Sequence, residues 1–401
     1  MSNAFTVSLV CWHDGEPLLR QVREAVFVRE QGILPELEWD GLDEHCRHAL
    51  VLTPQGVAIG CGRMRADGHI GRIAVLPKWR KRQVGTAIME ALLDYAQAHD
   101  FPQVEVDAQA FLQNLLSNDI REVTSRRAQW SSFNTAKGRM LATFLIWRDG
   151  DDYLLQLPAT LADTLRQKLG MYVLRARVKL TDASNDLISL GLSGENAQTM
   201  LLEHCPELPQ QPLEMVKIND QTGNIIRLND TRFQLNTTPE HAQTLWRALS
   251  GRAKSVGSPC WDWLNVRAGI PFILPQTQEQ FVPQMTNLDL LGGINFKKGC
   301  YPGQEIVARM HYLGKLKRRM YLAHVECDVA PQAGDAVFSA DMADQQPAQP
   351  GGMIANSAAA PSGGYDVLAV VQISSRETQT LHLKSRQGAI LTFASLPYPL
   401  P

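Results

Sequence analysis

The hydrophobic pattern of this chain changes at Asp107 and Ala108. Before this point, strand-like and helix-like stretches alternate, and residues 84–96 carry an apolar stripe at helical spacing. After it, long strand-prone stretches dominate and the helices are fewer. A chain of 401 residues is also too long for one ordinary core. The sequence therefore predicts several domains, at residues 1–107, 108–316 and 317–401.

The predicted fold class is α+β multidomain. The first part is predicted to form a one-sheet α/β unit, with helices at 17–32 and 84–96 and strands at 5–10, 48–53, 57–65, 69–76 and 103–107. The middle part is predicted to have helices at 108–118, 160–169, 196–204 and 239–249, and strands at 129–133, 142–157 and 173–182. After Lys317 the helix signal disappears, so we expect a small β-barrel of short strands, with a long exposed loop at 330–364 around one strand at 335–339.

Composition and charge exclude several classes of protein. A hydrophobic fraction of 44% with 20% charged residues is typical of globular domains, and a net charge of −2 gives no overall attraction for nucleic acid. We find no apolar run long enough to span a membrane and no targeting segment, and we expect a cytoplasmic protein. Seven scattered cysteines, with no CxxC pair, argue against a disulfide framework or a local metal-binding set.

A strand, a basic turn and a glycine precede the helix at residues 84–96. Backbone N–H groups at a helix N-terminus attract anions, and Gly85 would let a ligand approach closely. Residues 82–87 (RQVGTA) resemble the R/Q-x-x-G-x-G/A signature of GNAT acetyltransferases, and residues 26–48 resemble one bacterial GNAT subgroup. The resemblance implies that the pyrophosphate of acetyl-coenzyme A (acetyl-CoA) binds there, with the contacts coming from Arg82, Gly85, Thr86 and Ala87.

The GNAT resemblance is incomplete. It covers roughly residues 5–108, whereas the family continues through a further helix and two strands that carry a tyrosine general acid. Three carboxylates, Glu30, Glu36 and Glu38, are candidate bases for an amine substrate, and a solvated turn is the alternative role for each.

The most informative motif is residues 297–305, KKGCYPGQE. Two glycines around Cys-Tyr-Pro force a sharp turn, so we expect a constrained loop that presents Lys298, Cys300 and Gln304. A nearby ammonium stabilises a thiolate, which would make Cys300 the reactive thiol and Lys298 its partner. The alternative is that Cys300 is one more small buried residue.

This motif resembles the K-G-C-Y-x-G-Q-E signature of the YgfZ family. Residues 107–119, the N-x-x-K-G-R turn at 134–139, and residues 263–271 and 281–289 resemble the family in the same order, so the resemblance covers about 107–398. It implies a fold like that of the glycine-cleavage T-protein, in which three domains surround a channel that holds tetrahydrofolate. It also implies a role in the assembly or repair of iron–sulfur enzymes and, through them, in tRNA modification.

A pterin needs a flat apolar slot with a few polar partners, and its glutamate tail needs cations. The candidates that we place near such a slot are Trp130, Phe133, Arg139, Trp263 and Arg267, with core packing or surface exposure as the alternative for each. The T-protein uses an aspartate after its counterpart of the Lys137–Gly138 turn, where this chain has only apolar residues and one threonine at 140–147. The sequence therefore argues against aminomethyl transfer.

The basic run at residues 309–319 could contact tRNA phosphates or a polyglutamyl tail, and a solvated loop is the plainer alternative. Two further functions compete with the folate-dependent accessory role. One is a one-carbon transferase acting on tetrahydrofolate, and the other is an acetyltransferase with a passive appended domain.

Overall fold

The structure is a computed structural model that describes residues 5–30, 35–66, 70–80, 82–99, 108–173, 178–218, 223–312, 314–339 and 351–401. The chain divides into two units, Met1–Val106 and Asp107–Pro401.

The N-terminal unit contains one antiparallel sheet with strand order β1-β2-β3-β4. The strands are β1 (Thr6–Cys11), β2 (Arg47–Leu52), β3 (Ala58–Met64) and β4 (Ile70–Val75). The helices are α1 (Trp12–Arg23), continued by a π-helical stretch at Glu24–Glu30, then α2 (Pro35–Glu38) and α3 (Val84–Ala98). The predicted stripe of α3 is buried, because Val84, Ile88 and Leu92 pack against β2 and β3.

The second unit begins with α4 (Ala108–Gln113) and two sheets. The first sheet is β5 (Gln129–Asn134), β6 (Met140–Asp149) and β7 (Asp152–Gln156), followed by α5 (Ala159–Gly170). The second has the order β8-β11-β10-β9, built from β8 (Ile188–Ser193), β9 (Met215–Lys217), β10 (Gly223–Arg227) and β11 (Arg232–Thr237). The remaining helices of this part are α6 (Ala197–Leu202), α7 (Pro239–Ser250), α8 (Ser258–Arg267) and α9 (Gln304–Tyr312).

A six-stranded sheet follows and curls into a half-barrel with the order β16-β13-β14-β15-β12-β17. Its elements are β12 (Arg318–Val325), β13 (Ala336–Ser339), β14 (Gly352–Ala359), β15 (Tyr365–Gln372), α10 (Ile373–Thr378), β16 (Leu381–Leu383) and β17 (Leu391–Ala394). All three sheets of the second unit contribute to one core. This core includes Trp130 of β5, Trp147 of β6, Ile226 of β10, and Leu322 and Leu368 of the half-barrel.

Several predicted elements were wrong. The single strand expected at 142–157 is the hairpin β6–β7, because Gly150 turns the chain with a positive φ of 59°. The described residues of 173–182 contain no strand. The expected loop at 330–364 contains the buried strand β14, and a short helix, α10, follows Lys317. The strand predicted at 103–107 lies outside the described residues.

Candidate functional site

The loop at 297–305 is fixed by the side chain of Lys298. This side chain is 5% exposed, so the expectation that the loop presents it to solvent was wrong. Its Nζ donates hydrogen bonds to the carbonyl oxygens of Gln113, Leu116 and Asn118, at 2.7, 2.5 and 2.9 Å. These carbonyls lie at and just after the C-terminus of α4, where a cation is favoured. Lys298 therefore anchors the loop to the edge of the first sheet.

The buried position of Lys298 also changes its acidity. Burial lowers the pKa of Lys298 to about 7, while the charges of Asp119 and Cys300 oppose the shift. The same ammonium lies 5.2 Å from the ring centre of Tyr301, which is itself buried. The charge of Cys300 thus acts on the pKa of Lys298, and stabilisation of the Cys300 thiolate by Lys298 stays a prediction.

Cys300 is exposed, on the part of the loop that follows the anchor. Gly303 has a φ of +79°, and a Cβ there would lie 2.4 Å from the Cα of Gly138, which has a φ of +69°. Only glycine permits this approach. Gln304 begins α9 and its Nε2 donates to the carbonyl oxygen of Lys298 at 3.3 Å. The structure therefore brings together the two motifs at 134–139 and 297–305.

One face of β5 and β6 carries buried polar atoms beside tryptophans. The register pairs Trp130 with Leu145 and Ser132 with Thr143, which places Asn134 and Trp147 on the same face. Among the described residues, no hydrogen-bond partner is present for Asn134 Nδ2, Thr143 Oγ1 or Trp147 Nε1. Buried polar groups are normally satisfied, so these atoms point to a ligand or ordered water.

A row of amides lies on the second sheet. Asn236 Nδ2 donates to Asn224 Oδ1 at 2.9 Å, and Gln234 Nε2 donates to Asn236 Oδ1 at 2.9 Å. Gln234 Nε2 also donates to Gln156 Oε1 of β7 at 2.7 Å, which joins the two sheets. These residues share the face of Ile226, which belongs to the common core.

The sequence analysis missed the residues of both polar faces. Asn134 is the first residue of the N-x-x-K-G-R motif, but no motif marks Thr143, Trp147 or the amides of β10 and β11. Alternation along β6 is the one signal that singles out Thr143, a polar residue within an apolar strand.

The predicted slot residues do not all meet. Trp130 lies on the polar face, 5.9 Å between ring centres from Phe272. Phe133 lies on the opposite face of β5, is 1% exposed, and makes an edge contact with Tyr172. The structure therefore does not bring Phe133 and Trp130 to one slot.

The other aromatic and cationic candidates divide between two places. Trp263 Nε1 donates to Asp366 Oδ2 at 2.8 Å, and Arg267 Nη1 lies 3.7 Å from the same oxygen. Arg139 Nη1 donates to the carbonyl oxygen of Gln280 at 2.7 Å, beside the Gly138 turn. Trp263 and Arg267 thus join α8 to the half-barrel, while Arg139 belongs with the Cys300 loop.

In the N-terminal unit, the start of α3 is open to a ligand. Gln83 caps the helix with a φ of 62°, an unusual conformation for a non-glycine residue. A Cβ at Gly85 would meet nothing closer than 4.0 Å. Arg82 lies over the Trp79 ring at 5.3 Å, and the Ala87 N–H already bonds the Gln83 carbonyl oxygen. Because the amides of a first helical turn lack intrahelical acceptors, those of Gly85 and Thr86 are the ones a phosphate would meet.

The candidate bases of this unit are occupied or undescribed. Glu30 receives two hydrogen bonds from Arg80, at 2.7 and 2.6 Å, and these hold its pKa below the ordinary value. Glu38 is 1% exposed and paired with Arg23 at 2.5 Å, so the solvated role considered for it was wrong. The side chain of Glu36 lies outside the described part of the structure.

The described residues contain no cluster of three or more potential metal ligands. Within the same parts of the chain, no helix is both long enough and apolar enough to cross a bilayer.

Comparison with known proteins finds a likeness for each part of the chain. Residues 12–115 match the acetyltransferase (GNAT) family, as the sequence predicted. The solved glycine cleavage system aminomethyltransferase T from Bartonella henselae is 18% identical, with a TM-score of 0.56, and the match covers 72% of this chain and 81% of that one. This likeness confirms the predicted T-protein-like fold.

The chain also matches two sequence relatives over most of their length. The tRNA-modifying protein YgfZ of Shigella boydii is 32% identical over 229 residues, which are 57% of this chain and 70% of the relative. The protein of the same name from Escherichia fergusonii is 31% identical over the same shares. A match of 229 residues is too long for the N-terminal unit alone. Together with the fold and the motif at 297–305, it shows that this chain belongs to the YgfZ family.

Proposed function

We propose that this protein is a folate-binding accessory protein that supports the assembly or repair of iron–sulfur enzymes and, through them, tRNA modification. The observation that carries the proposal is the structure of the loop at 297–305. The loop exposes Cys300, and the buried Lys298 anchors the loop through its hydrogen bonds to backbone carbonyl oxygens. The name of the relatives, tRNA-modifying protein YgfZ, supports the same role. Within this role Cys300 is the reactive group, and Lys298 positions the loop and favours the thiolate.

Our candidate folate slot is formed by the polar faces of the β5–β7 sheet and the β8–β11 sheet. A pterin ring presents several hydrogen-bonding atoms on a flat aromatic system, and Asn134, Thr143 and Trp147 offer unpartnered polar atoms beside Trp130. Arg139 and Arg267 are our candidates for the glutamate carboxylates. When bound, tetrahydrofolate would supply a reduced ring and a carrier for one-carbon units. The protein contributes the slot, its polar partners and the thiol.

The thiol can be tested with a matched pair of cysteines. Cys300 and Cys260 are both exposed, but Cys260 lies on α8, outside the motif. In a strain that lacks the protein, we expect Cys300→Ala to restore little activity of an iron–sulfur tRNA-modifying enzyme, and Cys260→Ala to restore it as wild type does. Full restoration by Cys300→Ala would remove the thiol from the proposal.

Coenzyme binding by the N-terminal unit is a second candidate function, favoured by the open helix start at Gly85. We propose that acetyl-CoA binds there, and we assign no general acid. Isothermal titration should detect coenzyme A binding to the full chain, and Gly85→Val should abolish it by blocking the approach of the pyrophosphate. Ala98→Val, at the other end of α3, is the control. Equal binding by the Gly85 variant would contradict the assignment.

The one-carbon transferase is disfavoured by the structure of β6. Residues 140–147 of β6 contain no carboxylate, and the carboxylate of Asp149, the last residue of the strand, is paired with Lys217. General base catalysis at a folate nitrogen would need such a group within hydrogen-bonding reach.

A further inference from the structure

Three aromatic rings meet at the end of α9. His311 and Tyr312 are exposed, whereas Phe296, just before the Cys300 loop, is half-buried against the core. Phe296 and His311 are stacked, with ring centres 3.8 Å apart and planes inclined by 14°. The Tyr312 ring stands edge-on to both, at 6.4 and 4.8 Å, and Tyr312 is 64% exposed. We call these three residues the aromatic platform. A large, pre-ordered aromatic surface in contact with water is unusual for a group that serves packing alone.

Exposed lysines lie close to the aromatic platform in the sequence. Residues 309–319 contain five lysines and arginines and no acidic residue, although the whole chain has a net charge of −2. Lys297, Lys315 and Lys317 are exposed, and in the described part of the chain no carboxylate pairs with them. Arg319, in contrast, is buried and paired with Asp289. The unpaired lysines therefore give this surface a local positive charge that the molecule as a whole lacks.

We propose that the aromatic platform, with Lys297, Lys315 and Lys317, binds single-stranded RNA. Sequence-tolerant recognition of single strands combines bases stacked on aromatic side chains with cations along the backbone, and both are present here. An unpaired base stacks on the Tyr312 ring, and the lysines contact neighbouring phosphates. An acidic polypeptide or a polyglutamyl tail would use the lysines but would gain nothing from the rings.

The aromatic platform is close in sequence to the Cys300 loop. Phe296 precedes Cys300 by four residues, and α9 begins at Gln304, so the rings flank the Cys300 loop in sequence on both sides. In the proposed complex, RNA on the platform extends towards the Cys300 loop. This step rests on the proposed role in tRNA modification, whereas binding of RNA to the platform does not depend on folate.

The test measures fluorescence anisotropy of a labelled oligouridylate and of unfractionated tRNA with the full chain, without folate. Tyr312→Ala should weaken oligouridylate binding about 5- to 150-fold, the range found for loss of one stacked base, and Tyr312→Phe should retain most of the affinity. Trp246→Ala, which removes an exposed aromatic residue of α7, is the matched control and should have no effect. If Tyr312→Ala weakens binding no more than Trp246→Ala does, the proposal is overturned.

The lysines are tested through salt. Lys315→Gln and Lys317→Gln should each reduce the slope of log affinity against log salt by about 0.7, while Lys179→Gln and Lys254→Gln should not. A duplex RNA that binds as tightly as the single strand, or a polyglutamate that displaces the RNA at equal charge, would also overturn the proposal. Folate binding by Tyr312→Ala should be unchanged, so failure of the folate proposal and failure of this one give different results.

Discussion

The buried ammonium of Lys298 makes a pH-dependent contribution to stability. Its pKa falls from about 10.4 in the unfolded chain to about 7 in the folded one, so the unfolded state binds more protons between these values. The free energy of unfolding should therefore rise as the pH increases through this window. Urea denaturation of Lys298→Met should lack this rise.

The comparison of Lys298 with Lys298→Met is best made in proteins that also carry Cys300→Ala. Both proteins then lack the thiol whose charge acts on the pKa of Lys298. At about pH 7, Lys298→Met should also be less stable by about 1–3 kcal/mol, since three buried carbonyl oxygens lose their donor. An identical pH profile for the two proteins would show that the folded ammonium keeps its ordinary acidity.

Gly303 should tolerate no side chain. A Cβ there would lie 2.4 Å from the Gly138 Cα, and its φ of +79° is unfavourable for other residues. We expect Gly303→Ala to lower the free energy of unfolding by about 2–4 kcal/mol. Gly299→Ala is the control, because a Cβ at Gly299 would meet nothing within 4 Å. If Gly303→Ala and Gly299→Ala are equally stable in urea, the Gly303 and Gly138 loops can move apart without a loss of stability.

For single residues, the sequence predicts turn motifs better than it predicts which face of a strand a side chain occupies. The glycines and the cysteine of residues 297–305 define a turn through local geometry, which a sequence carries by itself. Whether Phe133 or Trp147 faces the slot depends on strand register and on the bulge between Phe133 and Asn134, which long-range pairing sets. Phe133 was therefore placed with Trp130, and Trp147 was overlooked.

Among the elements, α8 is tied to the half-barrel by one carboxylate. Asp366 of β15 accepts from Trp263 and lies 2.8 Å from His324 Nδ1, while Glu326 lies 3.0 Å from His324 Nε2. Hydrogen bonds to Glu326 and Asp366 raise the pKa of His324. This contribution to stability is fully present below the unfolded pKa of about 6.5 and is lost as the pH rises through the higher folded value.

His324→Gln should accordingly flatten the fall in stability of the second unit as the pH rises above about 6.5. Glu326→Gln, which removes one of the two acceptors, should reduce the same slope in part. Thermal melts across this range measure both. A variant profile that matches wild type would mean that His324 gains nothing from its two partners.

Element boundaries were predictable where periodicity was long. The stripe at residues 84–96 of α3 was recognised, whereas β6 and β7 were merged because only Gly150 and Asp151 separate the two strands. The strand β14 was read as a loop because it is rich in Ala, Gly and Ser, yet it is buried between β13 and β15. Pairing within a sheet overrides such weak local propensity.

For the whole molecule, each unit has cores of its own. Buried residues of α1, α3 and the β1–β4 sheet form the cores of the N-terminal unit. The second unit has a shared core, a separate one beside the β8–β11 sheet and another within the half-barrel. Domains with separate cores commonly unfold as separate cooperative units. The sequence pattern changes at Asp107, whereas the separate cores of the second unit depend on contacts far apart in sequence.

Ligands should therefore act on different unfolding transitions of the full chain. A ligand that binds only the folded state stabilises it by about 2.7 kcal/mol at a hundredfold excess over its Kd. In calorimetry, coenzyme A should raise one transition and tetrahydrofolate another, because the helix start at Gly85 belongs to the first unit and the polar face at Trp147 to the second. Gly85→Val should abolish only the first shift, and Asn134→Ala should diminish only the second. If tetrahydrofolate shifts neither transition while coenzyme A still shifts one, the polar face does not bind folate, and the acetyltransferase-like unit carries the small-molecule binding of this chain.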